Sequence, residues 1–306
     1  MYEAYFGFKE NPFSFSPDPR FLYLSPQHCE SLHHIAYGIA QRKGFIAITG
    51  DIGTGKTTLC RSLLKSLDGS IEAALIFNPA VSDLELLETI VQEFRIPLAG
   101  KEWTKKKYMD ALNHYLLENF AAGRNAVLLI DEAQNLPHQV LEQIRLLSNL
   151  ETEREKLLQI ILIGQPELQD VLAVPSLRQL NQRITIRYHL TPLSFSETIR
   201  YLEHRLAVAD GRDAITFTKW SYRILYRYSQ GNPRLINAIC DRALLVAYTK
   251  NLRVIGRRVI GEAVRDLGKG YFAARPRPWF AGWRRRAHFV LLLWVYAIAA
   301  GLSAPG

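Results

Sequence analysis

At 306 residues, 48% hydrophobic and 22% charged, the chain has the length and composition of a two-domain globular protein. Its three cysteines, Cys29, Cys60 and Cys240, are scattered without ligand spacing, which excludes a disulfide framework and a cysteine metal site. The net charge of +9 is uneven: ten basic residues between 251 and 286 stand against Glu262 and Asp266 alone, so eight of the nine charges lie there and the body is nearly neutral.

Residues 1–20 are acidic, aromatic and proline-bearing where a signal peptide needs an apolar core, so none is expected. Phe45-Ile46-Ala47-Ile48-Thr49 reads as a buried strand. It runs into Gly50-Asp51-Ile52-Gly53-Thr54-Gly55-Lys56-Thr57, which fits every fixed position of G-x-x-x-x-G-K-[ST], and Thr58 onward reads as a helix. Glycines let the backbone turn so that consecutive N–H groups face a polyphosphate at the positive end of the helix dipole. Lys56 then supplies a point charge for the β- and γ-phosphates, and Thr57 a hydroxyl ligand for magnesium. The stretch 50–58 therefore predicts ATP and Mg2+ as ligands.

Val127-Leu128-Leu129-Ile130 is too short for most helices and ends in Asp131-Glu132, as suits a central parallel strand delivering acids at its carboxyl end. An apolar strand ending in two acids is common by itself. Beside a phosphate loop it assigns Asp131 to magnesium and Glu132 to the attacking water as general base. Gln159-Ile160-Ile161-Leu162-Ile163-Gly164 is a further buried strand, and Gln165 just past its end could reach the γ-phosphate or the lytic water, the position called sensor 1. An ordinary strand-to-turn transition at Gly164 and Pro166 is the plainer reading.

Strands are expected at 45–50, 73–78, 127–131, 159–164 and 184–189, alternating with helices over residues 1–190: an α/β domain with a parallel sheet core. Thr191-Pro192-Leu193-Ser194 marks a break, and amphipathic helices near 194–210, 218–229, 233–249 and 256–267 predict an all-helical second domain over 191–270. A basic linker, 271–286, follows. Residues 287–302 then hold no Asp, Glu, Lys or Arg, and with Arg284, Arg285, Arg286, Trp279 and Trp283 in front they predict a transmembrane helix over 287–304 with the domains on the cytoplasmic side. The run is shorter than a comfortable span, and a core helix is the alternative. The basic stretch fits anionic headgroups better than a specific nucleic acid, because no base-reading motif accompanies it.

The opening Met1-Tyr2-Glu3-Ala4-Tyr5-Phe6-Gly7-Phe8-Lys9-Glu10-Asn11-Pro12-Phe13, the phosphate loop, Leu129-Ile130-Asp131-Glu132-Ala133-Gln134, Leu162-Ile163-Gly164-Gln165-Pro166-Glu167-Leu168 and Gly231-Asn232-Pro233-Arg234 together resemble the general secretion pathway protein A family. These are the ExeA-like AAA+ ATPases found beside type II secretion, pilus and exopolysaccharide genes. The resemblance covers nearly the whole chain, and it implies an AAA+ P-loop fold with a helical lid and a homo-oligomer. It implies an arginine finger at Arg183, with Arg178 a second candidate, and a sensor 2 arginine at Arg234 in the lid. It also suggests that the segment around Pro12 and Phe13 packs beside the adenine. Many such proteins continue past the membrane, often into a peptidoglycan-binding domain; this sequence ends at Gly306, which leaves a direct peptidoglycan role in doubt.

The leading expectation is a cytoplasmic-membrane ATPase that drives assembly of a secretion, pilus or polysaccharide-export machine through partner proteins. A DNA-associated AAA+ regulator similar to transposition ATPases is the alternative, and a nucleotide-dependent scaffold the third.

Overall fold

The computed structural model describes residues 1–16, 18–66, 69–77, 82–98, 103–211 and 214–268. Residues Met1–Asp266 form one compact unit. The predicted linker and transmembrane helix at 271–304 lie outside the described residues, and among the described ones no helix is long and apolar enough to cross a membrane.

In chain order the first part holds α1 (Tyr2–Phe6), α2 (Pro26–Ala40), β1 (Phe45–Gly50), α3 (Lys56–Ser66), β2 (Ile71–Ile76), α4 (Asp83–Glu93), α5 (Lys105–Ala121) and β3 (Asn125–Ile130). Then come α6 (His138–Leu147), β4 (Leu158–Gly164), α7 (Glu167–Ala173), α8 (Arg178–Arg183) and β5 (Ile184–Leu190). All pairings in the sheet are parallel, and its five strands run in the order β2-β3-β4-β1-β5. The three inner strands are buried at every position, whereas the edge strand β5 alternates buried and exposed residues. That contrast explains why the inner strands read as continuous apolar runs: both of their faces are covered.

Successive side chains of each strand enter opposite layers. Phe45, Leu128, Ile130, Ile160 and Leu162 pack with α4, α5 and α6 through Ile90, Leu112 and Ile144. Their neighbours Ile46, Ile48, Val127, Leu129, Ile161 and Ile163 pack with α2 and α3 through Ile35, Ile39, Leu59 and Leu63. Truncating any fully buried leucine of these layers to alanine would cost about 2–5 kcal/mol.

The second part contains α9 (Phe195–Val208), β6 (Thr216–Phe217), α10 (Lys219–Ser229), α11 (Pro233–Thr249), β7 (Val254–Ile255) and α12 (Arg257–Leu267). The four helices fall where the hydrophobic pattern puts them. A capping box starts α9, with Ser194 and Glu197 exchanging side-chain-to-backbone bonds, and Asn232 caps α11 ahead of Pro233. The expectation of an all-helical region is corrected by the parallel β6–β7 pair, in which Thr216 faces Val254 and Phe217 faces Ile255. Two residues per strand are too few for any periodicity to announce them. The turn between α10 and α11 is fixed on the linker by Leu193, whose N–H donates to the Gly231 carbonyl at 2.9 Å. Gly231 has φ +77°, and a Cβ there would lie 1.8 Å from the Leu193 carbonyl oxygen.

The first residues of the chain pack on this second part. Helix α1 ends at Gly7 in the left-handed conformation, and Tyr2 donates from its hydroxyl to Asp241 of α11, which also accepts from Asn11 Nδ2 at 3.2 Å. Tyr5 meets Tyr248 edge to face at 5.2 Å between ring centres. Buried Arg205 of α9 completes the clasp. Its Nε donates to the Pro12 carbonyl, Nη2 to the Ser14 carbonyl at 3.0 Å and Nη1 to the Tyr201 hydroxyl at 3.1 Å, with the Phe21 ring 4.6 Å from its guanidinium carbon.

A candidate nucleotide site at the carboxyl edge of the sheet

Because the sheet is parallel, β1, β3 and β4 all end on the same edge, and the residues that follow them converge there. The loop after β1 turns through Gly53 at φ +82° before α3 begins at Lys56. A Cβ on Gly53 would lie 2.6 Å from Arg234 Cβ and 2.7 Å from Asn232 Oδ1, so conformation and contact both require glycine. Lys56 is 5% exposed, and its Nζ donates to the carbonyls of Gly50 at 2.6 Å and Asp51 at 2.9 Å. Burial pushes its pKa down, and the charges of Glu132 and Asp131 oppose that shift.

The carboxyl end of β3 reaches this loop directly. Thr57 Oγ1 donates to Asp131 Oδ2 at 2.6 Å, and Asp131 Oδ1 accepts the Glu132 N–H at 2.9 Å. Glu132 itself is left-handed, at φ 53° and ψ 37°, an uncommon backbone for a residue with a long side chain and one that concentrates at functional sites. Its Oε2 accepts from Gln134 Nε2 at 2.6 Å and from Gln165 Nε2 at 3.1 Å, while Gln134 Oε1 accepts the Gln165 N–H at 2.9 Å. Two amides therefore orient one carboxylate oxygen. Gln165 is brought to Glu132, and it does not line the cavity described next.

A cavity of about 400 Å³ opens against the loop. Residues 52–58 and Glu132 form its polar floor, Arg234 and Asn237 come from α11, and Phe15, Phe21, Leu22 and Tyr23 line it from the amino-terminal segment. Within the segment around Pro12 and Phe13, Phe13 is fully buried in the core and Pro12 serves Arg205 through its carbonyl, and the cavity lining comes from residues a few positions later. Sequence reasoning missed three supports. His28 is buried with Nδ1 2.7 Å from Ser25 Oγ and Nε2 3.2 Å from the Thr54 carbonyl; since a carbonyl only accepts, Nε2 carries the proton. Burial pushes the His28 pKa down, which holds the ring neutral. Asn232 donates from Nδ2 to the Ile52 carbonyl at 2.6 Å while its Oδ1 caps α11, and Gln134 orients Glu132. A cap at Asn232 was legible from Asn-Pro; its second bond had no local signal.

Arg234 stands at the first turn of α11 with its Cβ against Gly53. Arg183 is elsewhere: Nη1 donates to the Arg145 carbonyl at 3.2 Å, Asn149 Oδ1 at 2.8 Å and Ser148 Oγ, at the carboxyl end of α6. Arg178, at the start of α8, is exposed.

The donors suit the ligands that the motif implies. Thr57 and Asp131 offer a hydroxyl and a carboxylate oxygen side by side, a hard, oxygen-only set of few protein ligands of the kind magnesium accepts when phosphates and water complete its shell. No group of three or more His, Cys, Asp or Glu placed to hold a metal occurs among the described residues. The buried ammonium of Lys56 and the aromatic wall divide the cavity into an anion end and an apolar end, which matches a nucleoside polyphosphate.

A family model described as an AAA domain matches residues 39–172. General secretion pathway protein A of Aeromonas hydrophila is 50% identical over 267 residues, which is 87% of this chain and 48% of that protein, so the chain spans about half the length of this relative. Among solved structures, ORC2 of Aeropyrum pernix in ADPNP-ADP complexes is 18% identical with a TM-score of 0.62, over 85% of this chain and 72% of that one. Cdc6p of Pyrobaculum aerophilum is 17% identical with a TM-score of 0.63, over 83% and 70%. The RuvB branch migration motor of Thermotoga maritima is 15% identical with a TM-score of 0.51, over 78% and 68%. At such identities the structural likeness is one of fold. The chain thus has an AAA+ P-loop fold, carries an AAA domain at residues 39–172, and over most of its own length is 50% identical to general secretion pathway protein A.

Proposed function

We propose that the chain is an ATP hydrolase that works as a homo-oligomer on the cytoplasmic face of the inner membrane and drives assembly of an envelope machine for secretion, pilus formation or polysaccharide export. The observation that carries the hydrolytic part is the joined set Thr57, Asp131, Glu132 and Gln165 beside the phosphate loop. In this reading Lys56 and the loop N–H groups hold the β- and γ-phosphates, and Thr57 and Asp131 hold Mg2+. The metal, when bound, neutralises developing charge on the phosphate oxygens. Glu132, aimed by Gln134 and Gln165, takes the proton of the attacking water, and Arg234 reaches the nucleotide from the lid side. A second copy would supply the finger that stabilises the transferring phosphoryl group, from Arg183 after release of its bonds to α6 or from exposed Arg178. Assembly partners and membrane tethering rest on the relative's name and on the basic-apolar sequence at 271–304.

Lys56→Ala should lose nucleotide affinity, whereas Glu132→Gln should bind ATP as the parent does and release phosphate about 10²–10⁴-fold more slowly. Equal phosphate release by Glu132→Gln and the parent would remove Glu132 from the chemistry. For the tether, the full chain should stay with membranes through a high-salt wash, because salt does not screen an apolar anchor.

A further inference from the structure

Helices α10 and α12 leave the same end of the parallel β6–β7 pair, with the Thr218 N–H bonded to the Ile255 carbonyl at 3.1 Å. Their first turns therefore follow neighbouring ends of one strand pair. Lys219 and Trp220 open α10, Arg257 and Arg258 open α12, and all four are exposed. Trp220 is 60% exposed, an unusual setting for an indole, and the Arg223 guanidinium lies 4.7 Å from its ring centre. Val254, on the open face of the pair, is 53% exposed.

Among the described residues, Lys219, Arg223, Arg257 and Arg258 make no ion pair, and neither helix carries an acid in its first turn. Basic side chains at two helix starts oppose both dipoles. An anionic surface laid against this corner would relieve the concentrated positive charge, and the exposed indole and valine beside it suit a partner that also has an apolar layer. A nucleic acid meets the first condition; a bilayer with acidic headgroups meets both, since indole sits at the headgroup level and arginine reaches phosphate from there.

We propose that this corner of the lid, formed by Lys219, Trp220, Arg223, Val254, Arg257 and Arg258, docks on an anionic phospholipid surface. It builds on the proposed tether, and it adds a second, salt-sensitive contact that orients the nucleotide site relative to the membrane. Each basic residue near an acidic bilayer strengthens binding about five-fold. The contact is therefore graded by lipid charge in a way an apolar anchor is not.

The test uses the full chain with Cys29→Ser and Trp220→Cys, labelled at position 220 with an environment-sensitive fluorophore; Cys60 and Cys240 are buried. Nucleotide binding equal to that of the parent verifies the fold. Mixed into zwitterionic vesicles the label should report water. With about a third of the lipid as phosphatidylglycerol its emission should rise at least about two-fold, and Arg257→Gln with Arg258→Gln should weaken the response by about 25-fold in lipid concentration. High salt should reverse the response while the protein still floats with the vesicles. A label blind to acidic lipid in a chain that floats overturns the docking surface and leaves the tether standing. A chain that floats only with acidic vesicles, yet reports the contact, removes the tether and keeps the surface. A response to duplex DNA in place of vesicles assigns the corner to nucleic acid and overturns the proposal.

Discussion

The two walls of the nucleotide cavity are made differently. The sheet side is built by chain ends: β1, β3 and β4 are buried throughout, and whatever residue follows each strand is delivered to one edge. The opposite side is built by side chains at α9 and α11 reaching backbone carbonyls: Arg205 to Pro12 and Ser14, Asn232 to Ile52. The first wall holds the groups placed for chemistry; the second holds the backbone that lines the cavity, and changes there should alter affinity more than the hydrolytic step.

The largest effect is expected at Arg205, because three backbone or hydroxyl acceptors and the Phe21 face all depend on one buried guanidinium. Arg205→Ala should destabilise the unit by about 3 kcal/mol and weaken ATP binding as the amino-terminal segment loosens. Thermal melting with and without nucleotide measures both; an unchanged melting temperature would mean the segment is held by its aromatic contacts alone. A moderate effect is expected at Asn232. Asn232→Asp keeps the helix cap and loses the donor to Ile52, whereas Asn232→Ala loses both, so the two should differ by about 1 kcal/mol in stability and share a faster nucleotide off-rate. Identical off-rates for Asn232→Asp and the parent would show that the cap, and not the bridge, matters.

The smallest effect is a pH dependence. The folded pKa of His28 lies below its ordinary value near 6.5, so the unfolded chain binds the proton more readily. The stability this ring contributes is complete above about pH 6.5 and is lost as pH falls through its lower folded value. Melting curves between pH 7.5 and pH 5, about the range where imidazole titrates, should show a decline that His28→Asn flattens. A decline of the same steepness in the variant would shift the cause to another group.

These differences also account for what could be read from the chain alone. Lys56, Thr57, Asp131 and Glu132 were legible because each occupies a fixed offset from an apolar run, and strand order carries that offset into space. The boundaries moved slightly, with β2 and β3 each starting two residues earlier than expected, at Ile71 and Asn125. Asn125 is buried, its Nδ2 bonded to the Ile39 carbonyl at 2.9 Å, so a polar residue opens a strand where an apolar onset was sought. Gln134 and His28 left no trace because their partners are one oxygen of Glu132 and one backbone carbonyl, and no spacing rule encodes either. Arg183 was singled out as a finger by resemblance alone, and its guanidinium here bonds to the end of α6 within its own chain.

The clasp of the first residues by the lid bears on how the protein is made. Tyr2 bonds to Asp241, 239 positions later, and Pro12 to Arg205 across 193. A ribosome adding about 5–20 residues per second would leave the amino-terminal segment without its partner for roughly 10–50 seconds. By the end of that interval every strand of the sheet has been synthesised, yet Tyr2, Phe6 and Phe8, all buried in the finished fold, still lack α11 to cover them. The phosphate loop can thus be in place well before its cavity has a far wall, and the chain closes head to tail only as α11 emerges. A nascent chain stalled before Asp241 should therefore expose an aromatic, aggregation-prone leading end, which makes this segment a natural landing site for a chaperone.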